Sequence, residues 1–267
     1  MKASKVERQK RLIAMISMDP GLLIRDLAKE MQVSRETVRR DLDELSKAGR
    51  LHRRYGGATF APIGLEMNFS NRSEFLVSER RSIAQLAVKQ IQDNEVIMLG
   101  SGATCLHFAH EILAQQRKVT VITNSISAAT VLGKGENART LVAPGEYDDA
   151  EGFLWGHETT DFVSKFHADV LVFSVDGLSS AGAMEIDSRT GWILRRMMSV
   201  ARRKVLLVDH SKHHQKSLEL VCPLTSIDML VTDLPPDEAL AQHLDNAGVI
   251  VKCVEKQGGN DAELPGA

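Results

Sequence analysis

The spacing of apolar positions divides the chain into a short helical head and a longer body of alternating runs. In the head, Val6, Leu12, Ile13 and Ile16 line one side of a stretch predicted to be helical from Lys5 to Met18. Arg8, Lys10 and Arg11 stay polar. Asp19-Pro20-Gly21 stops this helix, because Pro lacks an N–H and Gly favours turn geometry. A second helix is predicted near Ile24 to Met31, with Leu27 and Ala28 on its apolar face. Gln32-Val33 is a tight turn, and Ser34 stands where an N-cap belongs. In the next helix Val38, Leu42 and Leu45 recur at i, i+4 and i+7 as one buried stripe. Arg35, Glu36, Thr37, Arg39, Arg40 and Asp43 lie off that stripe, and Gly49 closes the helix. The segment from Arg50 to Ala58 sets Arg53 and Arg54 beside Gly56-Gly57, which suits a small β-hairpin wing.

Residues 59–75 contain Pro and Gly without clean periodicity and read as a lead-in. Helical spacing resumes near Leu76 and continues through Ile83, Leu86, Ala87 and Ile91. Seven strands follow at Glu95–Leu99, Val119–Thr123, Thr140–Ala143, Asp169–Val175, Lys204–Val208, Met229–Thr232 and Val249–Cys253. Their runs are mostly continuous apolar, as in a mainly parallel sheet covered on both faces. The fold class is therefore α/β: an N-terminal winged helix-turn-helix, then an open, mainly parallel α/β domain. The expected boundaries are 1–58 for the head, 59–78 for a linker, 79–255 for the body and 256–267 for a frayed tail.

Charge sharpens this division. The formal net charge of the 267 residues is −2, yet residues 1–58 carry +6 and residues 59–267 carry −8. A basic head on an acidic body points to a polyanionic partner for the head alone. Aromatic residues make up 4% of the chain, too few for a base-stacking platform. Cys105, Cys222 and Cys253 are too far apart in sequence for a disulfide framework or a structural zinc site. With no apolar run near the roughly 18 residues of a span and no apolar leader in the first residues, a cytoplasmic, membrane-free protein is expected.

The head has the order of a helix-turn-helix, whose third helix enters the major groove of double-stranded DNA. Arginine suits that position because its fork can bond guanine O6 and N7 together or clamp a phosphate. Basic wing residues suit the phosphate backbone. A three-helix bundle with a solvated basic face is the alternative. In the body, ligand chemistry belongs to the turns after the strands. Gly100-Ser101-Gly102-Ala103-Thr104 opens a helix, so its N–H groups attract an anion. Asn124-Ser125, Pro144-Gly145, Asp176-Gly177 and Asp209-His210-Ser211-Lys212 follow other strands, and Asp187, Arg189 and Arg195 lie further on. Lys212 could supply the cation that a phosphate needs beside amide donors. His107, His110, His213 and His214 form no convergent set, so no metal or other cofactor is expected.

The stretch Val33-Ser34-Arg35-Glu36-Thr37-Val38-Arg39-Arg40-Asp41-Leu42, followed by Arg53-Arg54-Tyr55-Gly56-Gly57-Ala58, resembles the DNA-binding head of the DeoR family of bacterial transcription regulators. Leu99–Thr104, Val121-Ile122-Thr123-Asn124-Ser125 and Leu207-Val208-Asp209-His210-Ser211-Lys212 extend the resemblance to the family's sensor domain, whose fold is similar to ribose-5-phosphate isomerase. The resemblance implies that Ser34, Arg35, Glu36, Thr37, Arg39, Arg40, Arg53 and Arg54 face DNA. It implies a phosphorylated sugar or polyol effector held by Ser101, Gly102, Ala103, Thr104 and Lys212, with Asn124, Gly145, Asp176, Asp187 and Arg189 around the rest of the ligand. The chain departs from the family pattern at Gly100, where an Asp is usual, at Pro144-Gly145 in place of Gly-Gly, and at Arg189-Thr190 in place of an acidic pair. Loss of acids there suggests room for a second anionic group or an unusual phosphate position.

The expected function is a ligand-responsive repressor of a carbohydrate or polyol operon, not an enzyme, acting as a homodimer or homotetramer on repeated half-sites. Two other classes remain open: a sugar-phosphate isomerase or deaminase with an appended head, and a nonspecific architectural DNA protein.

Overall fold

The structure is a computed structural model that describes residues 5–18, 23–47, 52–54, 57–59 and 76–255. The expectations for Asp19-Pro20-Gly21, Gly49, the turn at Tyr55-Gly56, the lead-in up to residue 75 and the tail from Lys256 fall outside the described residues.

In the head, helices α1 (Lys5–Met18), α2 (Ile24–Glu30) and α3 (Arg35–Lys47) precede the antiparallel strands β1 (His52–Arg54) and β2 (Gly57–Thr59). In this pair His52 lies opposite Thr59 and Arg54 opposite Gly57. Leu12, Leu27, Val38, Leu42 and Leu45 form the buried core. Ser34 caps α3: its Oγ accepts the N–H of Thr37 at 3.0 Å. The order Arg39-Arg40-Asp41-Leu42 divides cleanly by burial, two exposed arginines followed by two buried residues. Asp41 is only 2% exposed and receives a forked pair of bonds from Arg8, Nε at 2.6 Å and Nη2 at 3.0 Å. That fork fixes α3 against α1.

The body begins with α4 (Val77–Val88), then β3 (Val96–Leu99), α5 (Ala103–Ala114), β4 (Val119–Thr123), α6 (Ile126–Leu132) and β5 (Ala138–Val142). A short hairpin, β6 (Glu146–Asp148) and β7 (Phe153–Trp155), leads to α7 (His157–Val163) and β8 (Ala168–Phe173). Next come β9 (Gly177–Ser179), β10 (Gly182–Glu185), α8 (Ser188–Val200), β11 (Ala201–Leu207), β12 (Glu219–Cys222), β13 (Met229–Thr232), α9 (Glu238–Asn246) and β14 (Ile250–Cys253).

Seven strands form one sheet in the order β14-β13-β11-β8-β3-β4-β5, every neighbouring pair parallel. These are the seven strands that the apolar runs predict. Alternate residues feed two cores. Met98, Ile122, Leu171, Phe173, Leu206 and Leu230 pack under α7, α8 and α9 through Val163, Leu194, Met197, Leu240 and Leu244. Ile97, Leu99, Val121, Val172, Val205 and Val231 pack under α4, α5 and α6 through Ile83, Phe108, Ile112, Ala128 and Leu132. Continuous apolar strands are what two covered faces require. Two small antiparallel sheets, β6-β7 and β12-β10-β9, lie in stretches that the sequence pattern leaves as loop.

The chain runs outward from β3 through β4 to β5, then returns to the other side of β3 at β8 and proceeds to β11, β13 and β14. The order of travel reverses between β3 and β8, the position where open α/β sheets receive ligands.

Removing the carboxylate in Asp41→Ala leaves Arg8 without its fork. The head should lose about 1–3 kcal/mol, less than a fully buried pair because Arg8 keeps some solvent contact. Amide exchange should quicken in α1 and α3 while exchange in the body stays unchanged.

Candidate ligand cavity and nucleic-acid interface

At the reversal point lies a cavity of about 570 Å³. Its wall includes Ser101, Gly102, Ala103 and Thr104 from the turn after β3, and Ser174, Val175 and Asp176 from the turn after β8. Gly102 is the residue that makes this turn possible. Its φ of +107° is a conformation that side chains with a Cβ rarely adopt, and a Cβ built on it would meet nothing within 4 Å. The backbone therefore opens directly on the cavity at the start of α5, where amide N–H groups lack helical partners.

The residue at position 100 has a structural explanation. A Cβ on the buried Gly100 would lie 3.2 Å from Leu194 Cδ2 and 3.4 Å from Phe173 Cβ. A carboxylate there would enter an apolar notch, so the acid usual in the family does not suit this chain.

Two cations stand at the same end of the cavity. Lys212 belongs to a single 3₁₀ turn, His210–Lys212, that follows β11. Arg80 comes from the first turns of α4 and is 4% exposed. Asp209 organises both. Its Oδ2 lies 3.2 Å from Arg80 Nε, and its Oδ1 accepts the N–H of Ser211 at 3.1 Å. Burial pushes the Asp209 carboxyl up, but the charges of Arg80 and Lys212 with the Ser211 bond outweigh that and hold it below the usual carboxylate range. Lys212 Nζ also stands 3.7 Å from Asp176 Oδ1.

The lining also carries four carboxylates, Asp148, Glu151, Glu185 and Asp187. Arg189 lies among them. Its Nη1 is 2.8 Å from Asp148 Oδ2 and its Nη2 is 2.6 Å from Asp187 Oδ2. Its guanidinium sits 5.0 Å from the Trp155 ring centre and 5.6 Å from that of Phe153. Hydrogen bonding to Asp187 leads the causes that raise the Arg189 pKa. Asp187 also caps α8, accepting the N–H of Arg189 at 2.9 Å. Arg189 offsets part of this negative charge, and two carboxylates share its single positive charge.

Of the residues expected around a ligand, Ser101, Gly102, Ala103, Thr104, Asp176, Asp187, Arg189 and Lys212 line the cavity. Asn124 and Gly145 lie outside that lining. Asn124 is buried and donates from Nδ2 to Leu154 O at 3.0 Å, tying the β6-β7 hairpin to the end of β4. Gly145, with φ +154°, allows a close approach: a Cβ there would fall 2.4 Å from Trp155 O. Arg80, Asp148, Glu151, Ser174 and Glu185 are lining residues that the sequence reading does not single out. For Arg80 a signal existed, since it falls on the stripe of Ile83, Ala84 and Ala87, where a charge needs a buried partner.

In the head, Ser34, Arg35, Glu36, Arg39 and Arg40 are exposed and Thr37 is half-buried, all at the start of α3. Arg40 pairs loosely with Glu36 at 3.5 Å, leaving it 78% exposed. Arg53 and Arg54 lie on β1.

The turn that carries Lys212 is pinned by Asp233 at the end of β13. Asp233 accepts the His210 N–H at 2.7 Å and engages His210 Nδ1 at 2.5 Å. That bond to Asp233 raises the His210 pKa against partial burial. The folded state thus favours the imidazolium. The resulting stability is complete below the ordinary histidine pKa of about 6.5 and disappears as pH rises through the raised folded value. His213 is shifted down by burial and has the opposite sign. The difference in urea midpoint between wild type and His210→Asn should therefore shrink as pH rises above about 6.5.

Comparison with known proteins agrees with both halves. Residues 8–62 match the model of the DeoR-like helix-turn-helix domain, and residues 76–234 match that of the DeoR C terminal sensor domain. The chain is 32% identical over 232 residues to the HTH-type transcriptional repressor GlcR of Bacillus subtilis, covering 86% of this chain and 89% of that protein. It is 27% identical over 241 residues to the glycerol-3-phosphate regulon repressor of Escherichia coli, covering 90% and 95%. Among solved structures, ribose 5 phosphate isomerase A from Neisseria gonorrhoeae superimposes with a TM-score of 0.38 at 18% identity, over 50% of this chain and 52% of that one. The two family-model matches and the similarity to GlcR place the chain in the DeoR family of DNA-binding transcription regulators.

Proposed function

We propose that the protein represses a carbohydrate or polyol operon and that a phosphorylated sugar or polyol is its effector. The observation that carries this reading is the cavity at the β3/β8 reversal, whose lining combines the Ser101–Thr104 turn, the cations Arg80 and Lys212, and several carboxylates. A phosphate needs amide donors and cations together, and hydroxyl groups need acceptors. In this reading Asp176 and the other carboxylates receive the hydroxyls. Arg189 is already held by Asp148 and Asp187, which favours one phosphate and a neutral far end over a second anionic group.

Binding without turnover is the preferred mode. A general base must be available to take a proton from the ligand. Asp187 is engaged by Arg189 and by its own helix cap, and Asp176 stands beside Lys212. A coupled isomerase assay separates the two readings, because release of an isomerised product would mark an enzyme. In the head, Arg35, Arg39 and Arg40 would meet base edges or phosphates, and Arg53 and Arg54 the flanking backbone. A homodimer or homotetramer on repeated half-sites would supply the contacts that one head lacks.

Three measurements test this. Calorimetry with matched sugars should show binding of the phosphorylated member and little or none of its unphosphorylated partner; equal affinities would refute the anion end. Lys212→Ala should weaken the phosphorylated ligand by about 1.5–3 kcal/mol, the range of a bond to a charged group. Arg39→Ala should weaken the operator by about 1–3 kcal/mol and relax preference at one base, whereas Arg53→Ala should weaken all sequences alike and reduce the salt slope by about 1.

A further inference from the structure

We propose that Arg80 couples occupation of the cavity to the segment that carries the DNA-binding head. The proposal rests on reading the Ser101–Thr104 turn as an anion site. Arg80 lines the cavity beside that turn, and it belongs to α4, the first element of the body. In sequence, residues 60–76 alone separate α4 from the wing. The other cations on the cavity wall, Arg189 on α8 and Lys212 on the turn after β11, lie much further along the chain. An anion between Arg80 and Lys212 therefore acts directly on the helix that leads back to the head.

The chemistry of the pair supplies the two states. Arg80 and Asp209 are both buried, with Nε and Oδ2 3.2 Å apart. A guanidinium presents five N–H donors in a rigid plane and is drawn to whichever anion offers the better fork. An incoming phosphate competes with Asp209 for that plane. Asp209 is held in the turn it begins by the bond from the Ser211 N–H, so Arg80 is the partner that moves. The Arg80 backbone N–H donates to Leu76 O at 2.9 Å, which joins the displaced residue to the N-terminus of α4. Leu76 itself has φ +49° and provides no side-chain cap. A left-handed leucine is an unfavourable start to a helix, so this end of α4 has an alternative to relax towards. The ligand distinguishes the two arrangements through Arg80, which is the differential affinity that any switch requires.

The test is hydrogen exchange on the full chain, with and without saturating inorganic phosphate, at ionic strength matched with chloride. Wild type should show a severalfold slowing at residues 100–106 and a severalfold change at 76–83. Two variants are compared. Arg80→Lys keeps the charge and loses the fork. Arg80→Met combined with Asp209→Asn removes both buried charges together, so that neither is left uncompensated. Both lose an anion contact, so each is read at the phosphate concentration that restores full slowing at 100–106, and there the response at 76–83 should be lost. Persistence of the 76–83 response in the double variant would overturn the proposal, as would a wild type that responds at 100–106 alone. Return of the 76–83 response in Arg80→Lys once 100–106 is saturated would assign Arg80 to anion binding only and refute the coupling. A wild type with no response at 100–106 would instead refute the anion site, and the coupling with it.

Discussion

A parallel sheet wrapped on both faces leaves a small molecule little access except beyond the ends of its strands. In this body the side chains of β3, β8 and β11 alternate between two sealed cores, so the sheet faces carry no chemistry. What remains is the carboxyl edge, and there the reversal between β3 and β8 separates the two adjoining turns. Every polar group discussed follows from that constraint. The Ser101–Thr104 turn and Asp176 come from the strands at the reversal. Lys212 comes from the strand next to β8.

The pair Arg80 and Asp209 shows how the edge is held in an otherwise acidic body. A buried ion pair is weak support for stability in itself, because desolvation offsets much of the attraction. Its value here is placement. One carboxylate, fixed by the turn it begins, draws in a guanidinium from α4 and stands close enough to Lys212 to feel its charge. The result is local positive charge beside a helix start, within a segment of formal charge −8.

Much of the fold was legible because its strands are continuous apolar runs and its head has a strict stripe. Val38, Leu42 and Leu45 are buried as their spacing demands, and all seven sheet strands fall where the runs lie. The small antiparallel sheets were not legible. Strands such as Glu146–Asp148 and Glu219–Cys222 are three or four residues long and partly polar, and a pairing partner distant in sequence defines the second. The cavity was half legible. Turns after strands are where ligands belong, so Ser101–Thr104, Asp176 and Lys212 could be found by position. Arg80 precedes the first sheet strand, and only its place on an apolar helix stripe betrays it. The Asp148 partner of Arg189 was not legible, because it reaches across from a hairpin that no periodicity announces.

That hairpin has a consequence for how such a protein can change over generations. Its base is stitched to β4 and α6 by Leu154 N–H to Asn124 O at 2.8 Å and Ile126 N–H to Gly152 O at 3.2 Å. Its outer residues Ala150 and Glu151 face the cavity and belong to neither core. Substitutions of that kind usually alter stability by less than about 0.5 kcal/mol. Under the proposed reading, ligand preference can thus drift at Ala150 and Glu151 while the packing of the sheet and the head is left untouched.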